Sequence, residues 1–130
     1  MKKVLALFLL ALLGLGSLQA QQSAQRLARR VLGKQARHFE FVCQKDTVDF
    51  FSLSMHGKKI RVVGNNDNSM AMGLNYYLKE YAHVHVSWYA SQPVELPRRL
   101  PKVTETVTHR CKMPVRFFLN YCTYGYTMVW

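Results

Sequence analysis

The sequence predicts a small α/β domain, a mixed sheet with two helices in the order α-β-β-β-α-β. Three observations predict it. Short runs of β-formers lie at 39–43, 49–55 and 60–63, the last two separated by a tight turn. An apolar row at helical spacing follows, carried by Met70, Leu74, Tyr77, Leu78 and Tyr81. An alternating run, His83 to Trp88, comes directly after that row. Period 3.6 marks a one-sided helix and period 2 a half-buried strand.

Each element has its own reason. Residues 24–37 read as the first helix: Leu27, Val31 and Leu32 supply an apolar stripe. Arg26, Arg30, Lys34 and Arg37 fall at i, i+4, i+8 and i+11, a second stripe that is cationic. Such a stripe is a solvated face or a surface for polyanions. Phe39 to Cys43 is the first strand. Asp49 to Met55 is the second, with Phe51, Leu53 and Met55 on one face and Ser52 and Ser54 on the other. His56-Gly57 suits a two-residue hairpin turn because glycine accepts positive φ. Ile60 to Val63 returns as the third strand. The run Gly64-Asn65-Asn66-Asp67-Asn68 is a loop, and Asn68 or Ser69 can cap the second helix by accepting a backbone N–H bond. A strand, that helix and the strand His83–Trp88 would make a right-handed βαβ crossover. Pro93, Pro97 and Pro101 mark a connector, with a further short strand expected over Val103–Thr108.

The 130 residues begin with Lys2-Lys3, then an unbroken apolar stretch Val4–Leu13, then Ser17-Leu18-Gln19-Ala20 before polar residues. This is the three-part pattern of a secretory signal peptide, cleaved after Ala20. The stretch is short for a span of about 20 residues, so the chain is expected to be exported to the periplasm or beyond, with no stable membrane anchor after cleavage. The leader holds two of the 18 basic residues and none of the seven acidic ones, so the mature charge is +9. An excess of this sign favours acidic partners without identifying one. Cys43, Cys111 and Cys122 allow at most one internal disulfide, and a Cys43–Cys111 pair is one arrangement to test.

Most catalytic classes leave no trace. There is no phosphate-cradling glycine loop, no nucleophile elbow and no His-Glu metal helix. His83 and His85 share a strand face, but two imidazoles lack the third ligand a metal site needs. Asp46 and Asp49 flank a turn; paired carboxylates can cleave glycosides, whereas Asp beside Thr in a polar loop ordinarily organises the turn itself. No metal and no cofactor are expected, and no nucleic-acid partner.

The final segment, Phe117 to Trp130, carries six aromatic rings and no charged side chain. Ends of compact domains are usually polar, so this end is expected to be a cut through something larger. Val115 to Asn120 is expected to be the last strand, and Asn120, Tyr121, Cys122 and Thr123 follow its apolar residues Phe117–Leu119. Phe118-Leu119-Asn120-Tyr121-Cys122-Thr123, continuing as Tyr124-Gly125-Tyr126-Thr127-Met128-Val129-Trp130, resembles the opening of the catalytic barrel of the α-N-acetylglucosaminidases. Ile60-Arg61-Val62-Val63-Gly64, the helix bearing Leu74, Tyr76, Tyr77 and Leu78, and Val86-Ser87-Trp88 resemble that family's small N-terminal α/β domain.

The resemblance implies residues 21–92 as the N-terminal domain, 93–114 as a connector, and 115–130 as the start of a truncated (β/α)8 barrel. It implies exo-acting, retaining hydrolysis of terminal α-linked N-acetylglucosamine by two barrel glutamates. Asn120 and Cys122 would contact the sugar, with Cys122 a free thiol. No acidic residue of this chain matches those glutamates, and Glu40, Glu80, Glu95 and Glu105 belong with the N-terminal part. The chain is therefore expected to be an inactive N-terminal fragment of an exported enzyme, whose glycan is bound only with the missing barrel. The alternative is a secreted basic module that binds acidic polysaccharides through the Arg26–Arg37 stripe.

Overall fold

A computed structural model describes residues 18–86 and 94–113. Residues 18–32 form helix α1, longer at its start than expected, and Gly33–His38 continue it as a 3-10 turn. Gly33 adopts φ 56°, the left-handed conformation that commonly ends an α-helix. The buried side of α1 is a row of small residues, Ala24, Ala28 and Ala36, with Leu32. Leu27 is only half-buried and Val31 packs at the margin. Alanines at i, i+4 bring the helix axis close to the sheet, so the helix turns its alanine row inward and leaves Leu27 and Val31 at the edge.

Three strands follow: β1 Phe39–Cys43, β2 Phe50–His56 and β3 Lys59–Gly64. The hairpin turn is Gly57-Lys58, one residue later than expected, because His56 pairs with Lys59. Gly57 has φ 59°, and among the described residues His83 is the only non-glycine with positive φ. A glycine at the first central position with a normal second residue is the type II′ arrangement that matches strand twist. The fourth strand, β4, is Val107–Arg110.

The sheet order is β1-β3-β2-β4, with β1 parallel to β3 and both remaining pairings antiparallel. Phe39, Phe41, Leu53, Ile60 and Val62 face the helices and are buried. The other face is polar: Glu40 accepts from Arg61 Nε (2.9 Å) and contacts His56 Nδ1 (2.7 Å), while Thr108 Oγ1 donates to Ser52 Oγ (3.2 Å).

Helix α2, Asp67–Tyr76, continues as a π turn over Tyr77–Tyr81. It buries Ser69, Met70, Gly73, Leu74, Tyr77 and Leu78. Its cap is Asn66 rather than Asn68 or Ser69: Asn66 Oδ1 accepts from Ser69 N at 2.8 Å. Gly73 lets α2 lie against the sheet, since a Cβ there would sit 2.7 Å from Val62 Cγ1 and 3.2 Å from Phe51 Cβ.

Among the described residues, the strand expected to complete a βαβ crossover does not start at His83. Over 83–86, the described part of the run, there is no strand. Ala82 N–H bonds the Tyr77 carbonyl, Val84 N–H turns back to the Leu78 carbonyl (2.8 Å), and His83 takes φ 53°. The backbone groups that a strand would have paired are spent on ending the helix. The sheet takes its fourth strand from 107–110, antiparallel to β2. Residues 94–103 pack on the same core: Val103 is buried, Val94, Leu96 and Leu100 lie against it, and Tyr77 Oη donates to the Pro101 carbonyl at 2.7 Å.

Candidate functional site

The strand directions define one chemically dense end. β1 and β3 are parallel, and β3 and β4 both oppose β2, so β1, β3 and β4 run the same way. Their carboxyl ends, Cys43, Gly64 and Arg110, gather around the start of β2 and the N-terminus of α2. In open α/β sheets this is the end where ligands are bound.

Gly64 lets α2 begin here, for a Cβ would lie 3.0 Å from both the nitrogen and Cγ of Met70. Asp49 Oδ1 accepts from Asn65 Nδ2 (2.9 Å) and Asn66 Nδ2 (2.8 Å). Asn65 Oδ1 in turn accepts from Ser69 Oγ at 2.8 Å. Cys111 N–H donates to the Asp49 carbonyl at 2.7 Å, tying β4 to the same knot. Asp46 Oδ1 accepts from Val48 N (3.0 Å) and its Oδ2 from Arg110 Nη2 (2.7 Å). The Val48 N–H, then the Arg110 guanidinium, hold the Asp46 carboxyl below its usual value. Arg110 also lies over the Phe50 ring, 5.4 Å from its centroid.

Beside this knot is a cleft of about 420 Å³ lined by Phe50, Phe51, Asn68, Met72, His109 and Cys111, among others. Two of its lining residues, Phe51 and His109, form an aromatic trio with Tyr76, with centroids 4.7 to 5.4 Å apart.

The arrangement fastens loops to a helix start. Asp46 and Asp49 both accept inward hydrogen bonds, Asp46 stays ionised, and the turn-organising reading of the pair is the one the geometry bears out. His83 and His85 are exposed, and among the described residues no three His, Cys, Asp or Glu side chains are grouped to hold a metal. Cys43 and Cys111 are both free thiols. They end the two outer strands, three strand spacings or about 14 Å apart, beyond the reach of a disulfide. Asn120 and Cys122 lie outside the described residues. The sequence reading missed Asn65, Asn66 and Arg110; the only signal was the Gly-Asn-Asn run, which marked a loop without showing what it would bind.

The family model described as the alpha-N-acetylglucosaminidase (NAGLU) N-terminal domain matches residues 22–102. The chain belongs to the α-N-acetylglucosaminidase family. It is 37% identical over 87 residues to human alpha-N-acetylglucosaminidase, a match spanning 66% of this chain and 12% of that protein. A family 89 glycoside hydrolase from Clostridium perfringens, in complex with 2-acetamido-1,2-dideoxynojirmycin, superposes with a TM-score of 0.76 at 31% identity, covering 88% of this chain and 13% of that one. A double glutamate-to-glutamine form from the same organism, in complex with its substrate GlcNAc-α-1,4-galactose, matches with a TM-score of 0.68 at 30% identity, over 75% and 11% of the two chains. The chain thus spans about an eighth of the length of these α-N-acetylglucosaminidase relatives. The α/β fold expected from the resemblance is the fold observed, a mixed four-stranded sheet with two helices.

Proposed function

We propose that this chain is the supporting N-terminal domain of an exported, exo-acting and retaining α-N-acetylglucosaminidase, and that it does no hydrolysis by itself. The match of residues 22–102 to the N-terminal domain of that family carries the reading. The described carboxylates agree with it. Asp46 and Asp49 are engaged in turns, Glu40 is paired with Arg61, and none resembles the two barrel glutamates the family uses. The substrate class, glycans ending in α-linked N-acetylglucosamine, is proposed by analogy with the Clostridium perfringens enzyme, which binds GlcNAc-α-1,4-galactose. Asn120 and Cys122 would touch that sugar once a barrel surrounds them. Export rests on the charged, apolar and small-residue segments of the first 20 residues.

Purified protein given an aryl α-N-acetylglucosaminide should release no aglycone above a buffer blank. Sustained turnover that scales with protein would refute the supporting role. Residues 1–20 fused to a reporter active only outside the cytoplasm should give signal, and a silent fusion would remove export from the reading.

A further inference from the structure

The charged residues on the outward face of α1 and its 3-10 extension are all cationic. Arg26, Arg29, Arg30, Lys34 and Arg37 are all exposed. No Asp or Glu occurs from residue 18 until Glu40. None of the ion pairs among the described residues engages any of the five cations. Arg26, Arg29 and Arg30, with Ser23, line a shallow depression of about 590 Å³. Arg26 Nη2 donates to Ser23 Oγ at 3.3 Å, which turns that guanidinium along the helix. At 100° per residue Arg26, Arg29 and Arg30 fall on one face of α1, opposite Ala24 and Ala28, and Lys34 and Arg37 continue the exposed cations into the 3-10 turn.

We infer that this face is a peripheral docking surface for an anionic, phosphate-bearing lipid membrane. The inference goes beyond the supporting role and does not depend on it. Guanidinium forks match phosphate oxygens in pairs. The stripe presents no aromatic ring on which a base or sugar could stack, so it reads charge alone. That favours a fluid array of anionic headgroups that gather around fixed cations. The stripe also starts just after the apolar leader, so the precursor would hold it at the bilayer surface. The apolar side of α1 is spent on the core, so binding is electrostatic and reversible by salt.

The test compares partitioning of the full chain onto vesicles of neutral phosphatidylcholine and of phosphatidylcholine with about one-third phosphatidylglycerol. Taking the ratio of the two cancels any contribution of the apolar leader. The R26A/R29A/R30A variant should lower the anionic-to-neutral ratio on the order of 100-fold, at roughly fivefold per cation. A K45A/K58A/K59A control, with the same loss of charge elsewhere, should keep most of the ratio. The ratio should hold from pH 5 to 8.5, because guanidinium does not titrate there. Equal losses in both variants would overturn the assignment. So would a ratio that falls as pH rises from 5 to 8.5, or dextran sulfate bound by a chain indifferent to the anionic vesicles.

Discussion

At the scale of single residues, two buried positions carry much of the packing between α2 and its surroundings. Gly73 is the contact where helix and sheet meet. An alanine there would press on Val62, which is fully buried and stiff at χ1, and on Phe51. Overpacking of this kind costs about 1–3 kcal/mol, against about 1 kcal/mol gained in helix propensity. Gly73→Ala should therefore lower the thermal midpoint by several degrees; an unchanged or higher midpoint in a calorimeter would show that α2 can shift outward freely. Tyr77 works differently. Its ring is fully buried, stacks on Tyr81 at 5.5 Å and meets Phe39 edge-on at 5.3 Å, while its hydroxyl reaches the Pro101 carbonyl. Burial first, then the nearby Tyr81, pushes its pKa up to about 12, so the donor survives any physiological pH.

At the scale of elements, the start of α2 and the outer face of the sheet are held by polar groups that can be tested separately. Asn66 caps α2 and also donates to Asp49. Asn66→Ala removes both contacts and should cost about 1–2 kcal/mol, read as a lower urea midpoint with an unchanged slope. On the outer face, the hydrogen bond from Arg61, and next that from His56, hold the Glu40 carboxyl below its ordinary 4.5. A lowered folded-state pKa means stability present above the unfolded value and lost as pH falls through the folded one. Wild type should thus outlast Glu40→Gln at pH 7, with the gap closing below about pH 4; a gap that stays constant down to pH 3 would remove the Glu40–Arg61 pair as its cause. Strand runs 39–43 and 60–63 were legible because their alternate side chains, Phe39, Phe41 and Cys43 in one and Ile60 and Val62 in the other, are apolar. The cap was not, because five polar residues in a row, Asn65 to Ser69, leave several candidate positions, and only the approach of Asp49, just before β2, selects Asn66. The strand expected at His83–Trp88 had the right alternation. Its first residues instead close the π turn, a decision made by hydrogen bonds that period-2 counting does not see.

At the scale of the whole molecule, sheet order decides what the cysteines can do. β1 and β4 are the two outer strands, so Cys43 and Cys111 are kept apart by β3 and β2. Both should alkylate without reductant in the denatured protein, and a peptide linking the two by a disulfide would contradict the strand order. The packing also explains why residues 94–103 go with the core. Val103 and the Pro101 carbonyl meet α2, and β4 covers the open edge of β2. Pro97 and Pro101 read as part of a connector because proline interrupts periodic patterns, yet they do not prevent Leu96, Leu100 and Val103 beside them from packing on the core.

By itself the sequence determined the class of fold, the first three strands, the inward row of α2 from Met70 to Leu78 and the cationic face of α1. These follow from local periodicity and charge, which survive whatever the rest of the chain does. Only the tertiary structure decided that 107–110 is the fourth strand and that Asp46 and Asp49 serve as hydrogen-bond anchors. The same holds for Asn65 and Asn66 closing the strand ends against α2. Each of those depends on a partner at least 15 residues away, and contacts at that separation are set by how the elements pack.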